Sequence, residues 1–110
     1  MSKASYWQRG ETLDYTNETE DKIEANSVIV LGDRIGVAGT DILPGELGSV
    51  HVTGVFEFPK GSGEIVVGTE VYYSESEGVI TTDSSSDTKA GFAILTAADS
   101  ETSVLVKINA

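Results

Sequence analysis

The feature that most constrains this chain is its rhythm. Short runs of Val, Ile, Thr and aromatic residues are each stopped within a few positions by a glycine or a polar turn cluster. β-Branched and aromatic side chains fit the pleated, half-buried surface of a strand, and glycine supplies the backbone angles that tight turns require. Almost no apolar spacing follows the roughly 3.6-residue period of a helix. Residues 12–16 alternate as a strand does, and Ser27-Val28-Ile29-Val30-Leu31 is a continuous apolar run of the buried kind. Gly32-Asp33 turns the chain into residues 34–39, where Ile35 and Val37 alternate. Pro44-Gly45 presets one angle and frees the next, as a type II turn needs. Residues 49–58 read as the longest strand, ended by Pro59-Lys60-Gly61. Residues 70–74 and 78–82 form a hairpin across Glu75-Ser76-Glu77, and residues 89–96 and 102–109 supply the last two strands.

The expected fold is therefore all-β: a single small β-barrel or sandwich of about eight short strands at 8–12-residue spacing. Residues 1–10 read as an N-terminal arm and residues 11–110 as one β domain. A faint internal echo runs through the chain. Gly36-Val37-Ala38, Glu46 and Ser49-Val50-His51-Val52 are matched by Gly91-Phe92-Ala93, Glu101 and Ser103-Val104-Leu105-Val106. Two readings stand: a pseudo-repeat, or two hairpins that resemble each other as any two do.

Composition removes several classes of function. The 110 residues include no cysteine, so no disulfide scaffold, thiolate metal site or cysteine nucleophile is available. One histidine leaves no two-His metal site in a single chain. With 18 acidic and 7 basic side chains the net charge is −11, which repels nucleic acid and anionic membrane surfaces alike. No apolar run approaches the length of about 20 residues that spans a bilayer. The expectation is no nucleic acid, no membrane, no cofactor and no metal.

Candidate chemistry is equally thin. Gly61-Ser62-Gly63-Glu64 lacks the Lys and hydroxyl of a phosphate-binding loop. His51 lies mid-strand between Val50 and Val52, points to the opposite face, and has no G-x-S-x-G elbow to serve. Asp83-Ser84-Ser85-Ser86-Asp87 offers oxygens for calcium, but without the EF-hand spacing it reads as a solvated linker. The acidic stretch 18–24 reads as a solvated loop. No catalytic residue is assigned, and the chain is not expected to be an enzyme.

The arm is the exception. Tyr6 and the only tryptophan, Trp7, lie between Lys3 and Arg9, ahead of the first strand. Aromatic residues beside cations make good protein-contact anchors. Trp7 either caps one end of the core or anchors a partner. Lys3, Tyr6, Trp7 and Arg9 are accordingly the candidate contacts with a protein partner or a neighbouring subunit.

Gln8-Arg9-Gly10-Glu11-Thr12-Leu13-Asp14-Tyr15-Thr16-Asn17 resembles the opening of a family of small tailed-phage proteins. Arg34-Ile35-Gly36-Val37-Ala38, Thr40-Asp41-Ile42 and Gly45-Glu46 resemble its middle, and Gly54-Val55-Phe56-Glu57-Phe58-Pro59-Lys60 its G-V-F-E-x-P-K signature. Gly68-Thr69-Glu70-Val71-Tyr72-Tyr73, Gly91-Phe92-Ala93 and Val104-Leu105-Val106-Lys107-Ile108 continue the match in order. The family is that of capsid decoration, or cement, proteins. Some members carry a recombinase label, which the missing ATP-binding loop and the acidic charge contradict here. The resemblance implies a protein made in the host cytoplasm and located on the outer capsid surface of the virion. It further implies a homotrimer at three-fold and quasi-three-fold positions, with the major capsid protein as partner. It leaves Gly36, Pro44, Gly45, Gly54, Pro59, Gly68 and Gly91 as turn determinants. The alternative is a carbohydrate- or cell-surface-binding β-module on a virion, which needs several exposed aromatics on one concave face.

Overall fold

The computed structural model describes residues 2–85 and 88–110. Among these residues it contains nine strands and no helix. They are β1 (Thr12–Thr16), β2 (Val28–Leu31), β3 (Arg34–Ala38), β4 (Leu47–His51), β5 (Val55–Pro59), β6 (Glu70–Ser74), β7 (Val79–Thr81), β8 (Thr88–Ala93) and β9 (Ser103–Ile108). Two antiparallel sheets result, ordered β1-β4-β3-β2 and β5-β9-β8-β6-β7. They pack as a sandwich-like body, not a closed barrel. The outer strands of the second sheet do approach each other, at a single parallel bridge between Lys60 and Ile80.

The ninth strand arises because the segment expected as one strand is two. Residues 49–58 do not form one long strand: the chain leaves β4 after His51 and starts β5 at Val55, in the other sheet. The break sits at Gly54, whose φ of 119° no L side chain adopts without strain. Three backbone groups at the crossing have partners. The Val52 amide donates to the Glu11 carbonyl (3.0 Å), the Gly54 carbonyl accepts from the Ile108 amide (3.0 Å), and the Val52 carbonyl accepts from Asn109 Nδ2 (2.8 Å).

The main core lies against the second sheet. Phe58, Val71, Ile80, Ala93, Val104, Val106 and Ile108 cluster there, and Ile35 and Val37 from β3 join them. A smaller cluster of Ile29, Ala38 and Val50 occupies the opposite face of the first sheet, with Tyr15, Ile23, Leu31 and Val52 packed around it. Alternation along β3 explains the division, because Ile35 and Val37 point one way and Gly36 and Ala38 the other.

The internal echo corresponds to a repeated unit. β1, β2, β3 and β4 pair in the same order and sense as β5, β6, β8 and β9. Ile23 and Ile42 exchange backbone hydrogen bonds of 2.9 and 2.8 Å, as Ile65 and Ala97 do in the second unit. Glu46 and Glu101 close matching turns: the amide of each donates to the carbonyl three residues back, at 3.0 Å. The carboxylate of each accepts from the amide of that same residue, Leu43 or Ala98. The register differs from that of the echo. Ala38 faces Val50 and Ala93 faces Val106, so Val50 is equivalent to Val106, and Ser49 to Leu105 instead of Ser103. β7 has no counterpart. The first unit joins β2 to β3 by the two-residue turn Gly32-Asp33, whereas the second inserts β7 between β6 and β8.

Gly36 and Gly91 are equivalent positions inside β3 and β8, not turn residues. They are glycine for lack of room. A Cβ on Gly36 would overlap the Val50 side chain, and one on Gly91 would overlap the Lys107 carbonyl oxygen, at a φ of 148°. Val50 is fully buried and β-branched and so gives only by repacking, and a backbone carbonyl in a ladder gives less still. Gly91→Ala should therefore cost at least about 3 kcal/mol and Gly36→Ala clearly less. Denaturant unfolding of the two variants measures the difference, and equal losses would show that β9 yields as readily as the Val50 side chain.

Candidate functional site

Residues 2–9 precede any strand and are exposed throughout. No hydrogen bond or ion pair ties residues 2–10 to the rest of the described chain. Tyr6 is 83% and Trp7 90% exposed, so Trp7 does not cap the core. Lys3 and Arg9 lie in the same free segment. The arm thus places two aromatic rings and two cations together, unpaired, in solvent.

Its charge is opposite to that of the body. The first ten residues carry Lys3 and Arg9 and no acidic side chain, while residues 11–110 carry all 18 acids against five basic residues. The one ion pair among the described residues, Lys89 with Glu70 at 3.3 Å, lies on the surface and contributes little.

Beside the root of the arm lies a groove. The free edges of the first sheet, β1 and β2, leave an apolar hollow of about 420 Å³ lined by Leu13, Leu31, Arg34, Val52 and Asn109. A second hollow of about 530 Å³ lies between the same strands and touches Tyr15, Ile23 and Ile29. Leu13 is 39% exposed at the mouth. In the second unit its equivalent, Phe56, packs against the core, as does Tyr73, the equivalent of Leu31. β7 closes the second unit between Tyr73 and the end of β5 at Lys60, and it has no counterpart over the first.

Two asparagines that sequence reasoning passed over brace opposite ends of the first sheet. Asn109, in a left-handed conformation (φ 57°), donates Nδ2 to the carbonyls of Ile35 and Val52, both at 2.8 Å, and so ties the end of β9 to β3 and β4. Asn17 is fully buried, and its Nδ2 donates to the Asp21 (2.8 Å) and Ile42 (2.9 Å) carbonyls while Oδ1 accepts from Thr19. A lone Asn in a polar loop gives no sequence signal for either role.

The turn residues are dispersed. Pro44 and Gly45 form the turn before β4, with Gly45 at φ 80°, and Gly68 occupies the equivalent of Asn26 in the turn before β6. Pro59 is the last residue of β5, a strand at the sheet edge where a missing amide is tolerated. None of them reaches the arm or the groove.

Other candidates resolve into structural roles. The His51 ring is half-buried against Phe56, with centroids 5.8 Å apart. Tyr73 packs on the core while Tyr72 reaches toward Glu70 (3.3 Å), so the adjacent tyrosines share no face. The Asp83 carboxylate accepts from the Ser85 amide (2.9 Å), which holds it below its ordinary pKa. Ser86 and Asp87, the rest of that oxygen-rich stretch, lie outside the described residues. No group of three potential metal ligands occurs among the described residues.

Burial, and secondarily the negative charge of Glu75, push the Tyr73 phenol above its ordinary 10.0. The folded state then holds that proton more tightly than the unfolded chain does. Its contribution is complete below pH 10.0 and fades as pH rises through the folded value. Tyr73→Phe should flatten the alkaline loss of stability, read by denaturant unfolding at a series of pH values. An unchanged alkaline limb would remove Tyr73 as its source.

A family model described as phage cement protein matches residues 7–108, beginning at Trp7. No curated protein and no solved structure matches the chain.

Proposed function

The chain belongs to the phage cement protein family, and from that membership we propose that it binds the outer surface of the expanded head as a homotrimer at three-fold and quasi-three-fold positions. There it holds neighbouring major capsid protein subunits together against internal pressure. The coarser role, decoration and stabilisation of a phage capsid, follows from the family itself. The family match along nearly the whole chain carries the reading, and the free, cationic, aromatic arm supports it. Lys3, Tyr6, Trp7 and Arg9 form the contact with neighbouring subunits of the particle. The protein is made in the host cytoplasm and joins the shell after expansion.

The physics suits such a role. A protein that binds the assembled shell better than free subunits stabilises it by mass action. A micromolar site contributes about 8 kcal/mol, and many copies act on one shell. Linking three sites in a trimer raises the grip without any new contact. The charge of −11 keeps free copies soluble and opposes indiscriminate association.

Co-sedimentation with expanded, undecorated heads tests the reading. Saturable binding at one trimer per three-fold position is expected, and a folded protein that leaves intact heads unoccupied would refute it. Trp7→Ala should leave the thermal melt unchanged and weaken head binding by about 2 kcal/mol or more, roughly thirtyfold, as loss of an interface anchor does.

A further inference from the structure

We propose that the open groove between β1 and β2 is a strand-docking slot, and that its occupant is the arm of a second copy of this chain, entering with Tyr6 and Trp7. The inference concerns the protein in solution and does not depend on the head.

The molecule contains its own precedent for what the slot takes. In the second unit the corresponding opening is filled by β7. Tyr72, Tyr73 and Ser74 on β6 pair with Thr81, Ile80 and Val79. On its far side β7 reaches the end of β5, where the Gly61 amide donates to the Ile80 carbonyl (3.0 Å). Ile80 is completely buried there. A short strand with one central apolar side chain therefore closes this architecture. In the first unit β2 and β1 are both edge strands, no strand lies outside Leu31 as Ile80 lies outside Tyr73, and Leu13 is 39% exposed. Free edges of this kind recruit strands.

The arm fits the apolar slot in composition, and its charge suits the acidic body around it. It is the described segment that has exposed aromatics and no internal partner. It is cationic where the body as a whole is strongly acidic, which steers encounter; the slot itself carries Arg34, so its apolar lining receives the aromatic rings and not the cations.

Chain direction makes the exchange intermolecular. β7 runs antiparallel to β6 and meets the end of β5 in parallel. An arm filling the first slot in the same sense runs parallel to β1. Only residues 8–11 separate Trp7 from β1, enough for a hairpin, whereas a parallel connection takes about a dozen residues or more. Donor and slot are distinct surfaces, so the contact is head-to-tail, and such contacts close into rings when the rotation permits. A ring of three joins this inference to the proposed trimer.

Trp7 is the only tryptophan, so intrinsic fluorescence reports docking directly. As protein concentration rises, sedimentation velocity should show an oligomer and the emission should shift to the blue over the same range. Removing residues 2–9, or Leu13→Glu at the exposed mouth of the slot, should abolish both changes while circular dichroism and the thermal melt persist. The chain has no cysteine of its own, so a Trp7→Cys chain mixed with a Leu13→Cys chain should give a disulfide between the two on oxidation. The proposal is overturned if the full chain stays monomeric throughout. It also fails if the oligomer keeps water-exposed emission and survives arm removal, or if a disulfide forms only within a chain carrying both cysteines. All these readouts are taken without heads, so their failure is separate from failure to decorate a capsid.

Discussion

Two small sheets can share one core only if the chain passes between them without stranding polar groups in the interior, and residues 52–54 make that passage. A buried amide or carbonyl without a partner costs about 1–3 kcal/mol. At the crossing the Val52 amide, the Val52 carbonyl and the Gly54 carbonyl are all satisfied, by Glu11, Asn109 and Ile108. These partners come from the beginning of the first unit and the end of the second. The crossing therefore ties both ends of the domain to its middle, and the placement of every later strand depends on it.

Most strand positions were legible, because each apolar run is short and its stops are explicit. The passage itself was not. Val50, Val52, Phe56 and Phe58 all occupy even positions, so the period of two runs unbroken through Gly54. Periodicity reports which face a side chain takes, not which sheet it belongs to. Gly36 and Gly91 were misread for a related reason. A glycine needed for space and a glycine needed for a turn look identical until the neighbouring strand is in place. The repeat register misled through Ser49 and Ser103, whose identity outweighed a backbone offset that only the pairing of Ala38 and Ala93 with their partners reveals. The arm was legible as an outlier in composition, but its partner groove was not, since Leu13, Leu31 and Val52 converge from three separate strands.

Repetition with one inserted strand gives the two halves different duties. The second unit gains β7 and encloses Val71, Ile80, Val104, Val106 and Ile108, so it holds most of the core. The first unit, with the same ladder and turns, keeps its edges and a hollow exposed. The stable half holds β3 through Ile35 and Val37, and through Asn109. An open, apolar-lined sheet thereby stays ordered without collapsing on itself. Loss of either clamp acts on the groove as well as on stability, because Asn109 and Val52 line it.

The energetics of an unpartnered arm explain why such a device suits assembly. Ordering eight residues costs roughly 8–16 kcal/mol of backbone freedom. Burying two aromatic side chains, each about 150–250 Å², returns roughly 8–12 kcal/mol, and ladder hydrogen bonds add about 1 kcal/mol apiece. The sum lies near zero for one arm, so a single contact forms and breaks readily. A closed ring of three gains three contacts for two losses of translational freedom, and arms held at neighbouring sites of one shell gain likewise, so such contacts become persistent together. Weakness of the individual arm is what confines tight association to the assembled state, and the mutual repulsion of acidic bodies sharpens the same distinction.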